Sequence, residues 1–432
     1  MQHELVRTSH TDAWFTYLLP TLYVFFIGYV FTQMARRFPG KHMFEISRMV
    51  CGAWLGTLIN LILIFHLWLI LMRDLRSFGK FIGTILLPNT PQEILVLLFM
   101  LLLMFYGKSS VEVVARVNDL FFPLFVGLAV LQPIMLANEL DTRLIQPFLT
   151  TTPVKVFYGN LLCLGWYGDI FVTGAFLHTI WSAKQIHSAI RHGTVLATII
   201  LTLYLFLEVM VLGPVIPANM LYPAYSLVQH IHITDFLDRV DLIMLSIWYP
   251  VTACKIILIY LAFLTGIAHL IGKRDYTTIN SPISLLLLLT TLFAFSSTTD
   301  VFSFGNYSSP VIVLAYQPVL FLLLLLLVLR HPVVRDKNMP GESGSPAGGG
   351  RPNNKAGPDQ GKHRAWVRLG NVLLLTACLF VAAGLMYSNR YAVIGVIAAA
   401  GYGTCLLLAA GSSHMEIRRA KKHTVKGSSG AA

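Results

Sequence analysis

The sequence predicts an all-α polytopic membrane protein, and three observations carry that prediction. Of its 432 residues 56% are apolar and only 12% charged, whereas soluble domains carry about 25% charged residues. Mean hydropathy is +0.68, and the apolar residues gather into runs near the ~20 residues that a membrane-crossing helix needs. The Lys and Arg residues, finally, fall almost entirely between those runs.

Eleven runs follow one another, at 14–34, 50–71, 92–106, 118–137, 157–181, 193–213, 241–271, 281–297, 311–329, 366–387 and 391–411. The seventh is too long for one straight crossing. Pro250 is expected to break it, because proline removes a helical hydrogen bond and crowds the preceding turn. With the loop 35–49 placed in the cytoplasm and the spans alternating from there, 23 Lys and Arg lie in cytoplasmic segments and 8 in external ones. Lys255 lies well inside a run and belongs to neither group. Such a bias sets topology, so the net charge of +12 speaks for a lipid bilayer and not for nucleic acid. The N-terminus comes out external and the C-terminus cytoplasmic.

The chain then divides into five parts: an external N-terminal remnant (1–13), a transmembrane core (14–331), a linker (332–364), a two-helix transmembrane appendage (365–411) and a basic cytoplasmic tail (412–432). The opening MQHELVRTSHTDA is polar and carries no signal peptide. The linker is rich in Gly, Pro, Asn and Lys without an apolar period, and reads as disordered. The tail RRAKKHTVK suits an anionic lipid surface. The five cysteines lie inside apolar runs with no metal or disulfide spacing.

The stretch Leu161–Trp181 organises the rest. It is apolar enough to cross a bilayer, yet holds Gly165 and Gly168 with Trp166 and Tyr167 between them, and then Asp169. A carboxylate facing lipid costs several kcal/mol unless it meets a partner or a cavity. Glycine in a helix interior costs about 1 kcal/mol. Together they predict an interrupted helix whose freed backbone groups and acid meet a ligand. The alternative is a glycine-rich packing face with a satisfied buried Asp. His66, His178, Glu208 and Lys255 are ionisable residues that lie away from the run ends. Glu208 and Lys255 lie at matching depth, so an ion pair or coupling role is possible for them; independent snorkelling to the interface is the competing reading. The two histidines read as buried, hydrogen-bonded side chains. No hydrolase, zinc-protease or phosphate-loop motif is present, and the external pair His10–Asp12 is isolated. An enzyme and a cofactor are therefore not expected.

Three stretches carry a resemblance: ARRFPGKHMFEIS at Ala35–Ser47, LYPAYSLVQHIHITDFLDRVDLIMLSIWYPVTACKIILIYLA at Leu221–Ala262, and GKRDYTTINSPISLLL at Gly272–Leu287. The second runs through Tyr222-Pro223, Phe236-Leu237-Asp238-Arg239, Trp248 and Lys255 in the family's order. Over roughly residues 10–330 the chain resembles the permease-like B subunit of bacterial spore germination receptors, in the amino acid/polyamine/organocation superfamily. The resemblance implies a LeuT-like inverted-repeat core of ten helices, here lacking its first helix and followed by two extra C-terminal ones. It implies a small nutrient, commonly an amino acid, held at Gly165, Trp166, Tyr167, Gly168 and Asp169 of the broken sixth helix and at Lys255 of the eighth. Asp169 stands where the family carries Glu. It implies sensing in the spore inner membrane beside a membrane A subunit and a lipoprotein C subunit. A proton-coupled amino acid or polyamine transporter using Asp169 or Glu208 is the second expectation, and a membrane acyltransferase the third.

Overall fold

The computed structural model describes residues 1–179, 183–231, 240–273, 275–333 and 358–428, and every regular element among them is helical. In chain order these are α1 (Gln2–Ser9), α2 (Leu18–Arg37), α3 (Met43–Cys51), α4 (Ala53–Ile85), α5 (Gln92–Tyr106), α6 (Val111–Met135), α7 (Pro153–Tyr167) and α8 (Ala183–Leu212). They continue with α9 (Val215–Asn219), α10 (Pro223–Gln229), α11 (Val240–Ile271), α12 (Thr277–Ala294), α13 (Thr298–Ser303), α14 (Ser309–Leu329), α15 (Pro358–Tyr387) and α16 (Ala392–Ser428). Ten helical stretches among the described residues are long and apolar enough to cross a membrane, and α5, at 15 residues, is a shorter apolar helix. All eleven apolar runs thus coincide with a helix, and the chain is an integral membrane protein.

Several expectations are corrected. The first residues are not a loop: α1 and the 3-10 turn His10–Phe15 are helical and largely buried. Among the described residues Asp12 has no histidine partner; its carboxylate accepts from the backbone N–H of Leu149 at 2.6 Å and of Thr151 at 2.9 Å. Pro250 does not break its helix, since α11 runs through it for 32 residues. One missing hydrogen bond within a long packed helix is tolerated. Residues 72–85, read as loop, are the last turns of α4. That helix of 33 residues is about 50 Å long at 1.5 Å per residue, well beyond the ~30 Å hydrocarbon core. The greater part of the 332–364 linker and the whole of Phe236–Arg239 lie outside the described residues, whereas α15 already begins at Pro358 and α16 continues into the basic tail.

Two large apolar cores and a small third one around Leu136, Leu207 and Leu227 hold the bundle. The larger joins α2, α3, α4, α11 and α14 through residues such as Phe31, Phe44, Leu63, Tyr260 and Phe321. The second joins α1, α2, α7, α8, α15 and α16 around Phe15, Cys163, Leu205 and Tyr402. The turn between α3 and α4 is made at Gly52, whose φ of +82° is open to glycine and strained for other residues. It folds α3 back on α4, where Asn60 donates to the Phe44 carbonyl at 2.8 Å.

Candidate functional site

The site is built where three elements cross. Helices α4 and α11 run antiparallel: Ile64 lies against Gly266, Asp74 against Lys255, Phe78 against Tyr249 and Phe81 against Trp248. This register places Arg73 and Asp74 beside Lys255. The third element is the chain at the end of α7. There the α-helix gives way at Gly168 to a 3-10 helix of 12 residues, Gly168–Thr179. The helix is therefore not unwound into a gap, as the interrupted-helix reading had it, but tightened. Runs of 3-10 helix beyond 3–4 residues are uncommon and mark hinges or strain. Two glycines and the β-branched Ile170, Val172 and Thr173 weaken the α-helical alternative locally.

The glycines also let α14 come close. A Cβ on Gly165 would lie 2.6 Å from the Pro310 backbone nitrogen, and one on Gly168 would lie 2.7 Å from Val313. With α14 that near, Ser309 at its start reaches the charges.

Four charges meet at this crossing. Arg73 Nη2 lies 2.7 Å from Asp169 Oδ2, and its Nε donates to Asp74 Oδ1 at 2.8 Å. Lys255 Nζ lies 2.9 Å from Asp74 Oδ2 and 3.4 Å from Asp169 Oδ2. Two cations and two carboxylates alternate, so the group is formally neutral. That matters, since a single unpaired charge at this depth is expensive. The remaining arm of Arg73, Nη1, donates to Ser309 Oγ at 3.0 Å, and the guanidinium sits 4.1 Å from the Trp166 ring centroid. Arg73 is thus fully enclosed, with 0% side-chain exposure, while Lys255 keeps 43%. Lys255 is the open side of the group.

Besides Asp74 Oδ2, which has only its ion pair with Lys255, three polar atoms near this crossing are buried and have no hydrogen-bond partner among the described residues: Asp169 Oδ1, Trp166 Nε1 and His66 Nε2. His66 belongs to a layer beneath the charges. Its Nδ1 meets Tyr316 OH at 2.5 Å, and its ring stacks on Phe171 at 5.2 Å. In the same layer, Tyr23 OH donates to Gln317 Oε1 at 2.8 Å, and Gln317 Nε2 reaches the Gly168 carbonyl at 3.5 Å. Opposite, Tyr167 OH pairs with Thr198 Oγ1 at 3.2 Å. The junction at Tyr167–Gly168 is therefore held from both sides. A π-helical turn, Phe304–Ser308, brings Gly305 against Trp166, where a Cβ would lie 3.1 Å from the indole.

The structure brings together Gly165, Trp166, Gly168, Asp169 and Lys255. It turns Tyr167 toward α8. It does not bring Glu208 to Lys255, which corrects the expected ion pair. Lys255 is taken by the two aspartates, and Glu208 is fully buried in the second core with neither oxygen hydrogen-bonded among the described residues. Depth alone matched them; α8 and α11 present them to different cores. Arg73 and Asp74 were missed because the apolar run ends at Leu71. The signal was there in Leu71, Leu75, Phe78 and Ile82, whose helical spacing carries the buried stripe past the charges.

At the far end of the 3-10 helix His178 packs on His42 with ring centroids 5.7 Å apart, and His42 packs on His269 at 5.2 Å. His42 Nε2 lies 3.0 Å from Glu45 Oε1, and Lys41 Nζ 2.7 Å from Glu45 Oε2. Burial pulls the His42 imidazole down to about 4, against the partial opposition of Glu45. No cluster of His, Cys, Asp or Glu among the described residues is arranged to hold a metal ion.

Comparison with known proteins gives one consistent result. A family model described as "Spore germination protein" matches residues 1–300. The putative spore germination protein YfkT of Bacillus subtilis (strain 168) is 23% identical over 330 residues, covering 75% of this chain and 89% of that protein. Spore germination protein KB of the same organism is 22% identical over 337 residues, covering 77% and 90% respectively. Spore germination protein B2, also from that organism, is 22% identical over 310 residues, covering 69% and 82%.

Proposed function

Because the chain belongs to the spore germination protein family, we propose that it is the nutrient-sensing membrane subunit of a germinant receptor and that its ligand, an amino acid, binds at the Arg73–Asp74–Asp169–Lys255 group. One observation carries the site assignment. Beside Lys255, whose side chain is partly exposed, stand an unused carboxylate oxygen, Asp169 Oδ1, and an unused indole N–H, Trp166 Nε1. A zwitterion supplies what these lack: its ammonium donates to Asp169, and its carboxylate accepts from Lys255 and Trp166. Buried polar atoms left unmade cost about 1–3 kcal/mol each, so a ligand that satisfies them gains that much selectivity over one that does not.

Ligand and protein would exchange partners in this scheme. Lys255 swings from Asp74 or Asp169 to the ligand carboxylate, while Arg73, saturated by three partners, stays. The 3-10 helix that begins one residue before Asp169 moves with it. A ligand shifts such an equilibrium only by its differential affinity for the two states, and the altered pairing supplies that difference. A LeuT-like arrangement of the core helices and association with A and C receptor subunits are part of the same reading. The test is germination. Spores lacking the chain and complemented with Asp169→Asn should lose the response to amino acids that the wild-type copy restores, at equal protein level. An unchanged dose curve overturns the site assignment.

One observation favours a second reading, an active proton-coupled amino acid or polyamine transporter. Glu208 is a fully buried carboxyl with no hydrogen-bond partner among the described residues, and an ionisable side chain inside a membrane span is a candidate for proton relay. It could carry a proton. Uptake of labelled amino acid into vesicles, driven by a pH gradient and lost in Glu208→Gln, would support transport. Germination without uptake supports the receptor.

A further inference from the structure

The helices α15 and α16 lie beyond the residues that the family model matches, yet they are bound to the core by specific polar contacts. One side of α8, with Ser188, Arg191, His192 and Thr202, carries them. Ser188 Oγ donates to Glu416 Oε1 at 2.8 Å, and Arg191 Nε lies 3.4 Å from Glu416 Oε2. Arg191 Nη1 donates to Asn371 Oδ1 at 2.7 Å, and its Nη2 reaches the Val367 carbonyl at 3.4 Å. Gly370 makes room for this, since a Cβ there would lie 2.8 Å from Arg191 Nη2. Further along, Thr202 Oγ1 and Tyr402 OH are 3.4 Å apart, and the Tyr402 ring meets Phe15 edge-on at 5.0 Å.

Arg191 is 5% exposed and Glu416 1%. Stripped of α15 and α16, Arg191 would keep, among the described residues, only the Phe25 ring, 4.9 Å away, and its guanidinium would lose the polar partners that now satisfy it. The α2–α8 face is thus shaped and charged for a cover. The contacts that seat the cover are side-chain specific and do not depend on the connecting segment. Small residues permit the close approach, as between membrane helices generally.

We propose that the α2–α8 face is a docking surface for an acid-bearing transmembrane helix pair, and that α15–α16 is the tethered partner that occupies it by non-covalent contacts alone. Its grip also bears on the candidate site. On the same helix Thr198 Oγ1 lies 2.6 Å from Thr21 Oγ1 and 3.2 Å from Tyr167 OH, the last residue before the 3-10 helix. On this proposal the helix pair, by gripping α8 on either side of Thr198, bears on where α8 holds that junction. This second part rests on the function proposed above; the first does not.

The test inserts a protease site between residues 334 and 357 of the full chain and cleaves the purified protein in detergent. The C-terminal fragment is expected to co-elute with the core. Glu416→Ala and Arg191→Ala should each raise its dissociation at least tenfold, and the exchange R191E/E416R should restore retention. The proposal is overturned if cleaved wild type separates while uncleaved protein stays monodisperse, or if the charge variants retain the fragment as firmly as wild type. This assay needs no germinant, so its failure leaves the receptor reading untouched. In spores, Glu416→Ala should shift the half-maximal nutrient concentration. A dissociated helix pair with an unshifted dose curve refutes the link to Tyr167.

Discussion

Arg73 and Asp169 meet at 2.7 Å, Nη2 to Oδ2, from helices that are 96 positions apart in the chain. The contact unites the acid that breaks the character of its own helix with a cation at the far end of another. Neither is tolerable alone at that depth. Arg73→Met leaves Asp169 with only the more exposed Lys255 and Asp74 without its guanidinium partner. It should cost about 3–5 kcal/mol, the usual penalty for breaking a buried pair from one side. A thermal unfolding series in detergent would register this as a large fall in Tm. A Tm within a degree or two of wild type would mean that the pair carries little of the fold.

Lys255→Met should behave differently. Its side chain is 43% exposed where that of Arg73 is 0%, so its removal strips fewer buried contacts. The loss of stability should be small, while the nutrient response should be lost. Comparable stability losses in the Arg73 and Lys255 variants would contradict the division between a structural and an exchangeable cation.

The approach of α14 to the 3-10 junction depends on having no side chain at Gly165, where a Cβ would sit 2.5 Å from Pro310 Cδ and 2.6 Å from its nitrogen. Gly165→Ala should therefore destabilise by about 1–3 kcal/mol through overpacking, even though alanine is the better helix former. Chemical denaturation with the m-value checked would measure it. A stabilised variant would show that α14 can retreat freely.

A pH dependence follows from the histidine cluster at the other end of the 3-10 helix. The folded state binds a proton at His42 only near pH 4, held down by burial, while an unfolded histidine binds one near 6.5. The unfolded state thus takes up protons first, and stability falls as pH drops from about 6.5 towards 4, levelling off below. Glu45 acts in a lower window: burial opposes its ionisation, but the Lys41 hydrogen bond and nearby charges hold it below its ordinary value, so its contribution is lost only as pH falls below about 4.5. His42→Asn keeps an acceptor for the Glu45 backbone N–H that His42 caps but removes the titration. Its Tm should fall less between pH 7 and pH 4.5 than that of wild type, and parallel Tm profiles would refute the assignment.

Much of the architecture was legible in the sequence because hydropathy is read directly by a bilayer. Each apolar run is a helix, and Asp169 and Lys255, flagged as charges out of place, do meet. What was not legible came from two sources. Arg73 and Asp74 sit beyond the end of an apolar run, and a window of hydropathy cannot tell a loop from helical turns whose charges are paired inside protein. The depth match of Glu208 with Lys255 ignored which way each helix faces, a matter of tertiary packing. The 3-10 geometry at Gly168 was announced only as weakness by its glycines; whether a weak helix unwinds or tightens depends on neighbours such as Val313 and Gln317, which lie far off in the chain.

Equilibrium binding to the purified protein tests the central claim most directly. An amino acid that triggers germination through the wild-type chain should bind it saturably, and Asp169→Asn and Lys255→Met should each weaken binding at least a hundredfold, about 2.7 kcal/mol, while both remain folded by thermal unfolding. Folded variants that bind with the wild-type Kd would place the nutrient elsewhere.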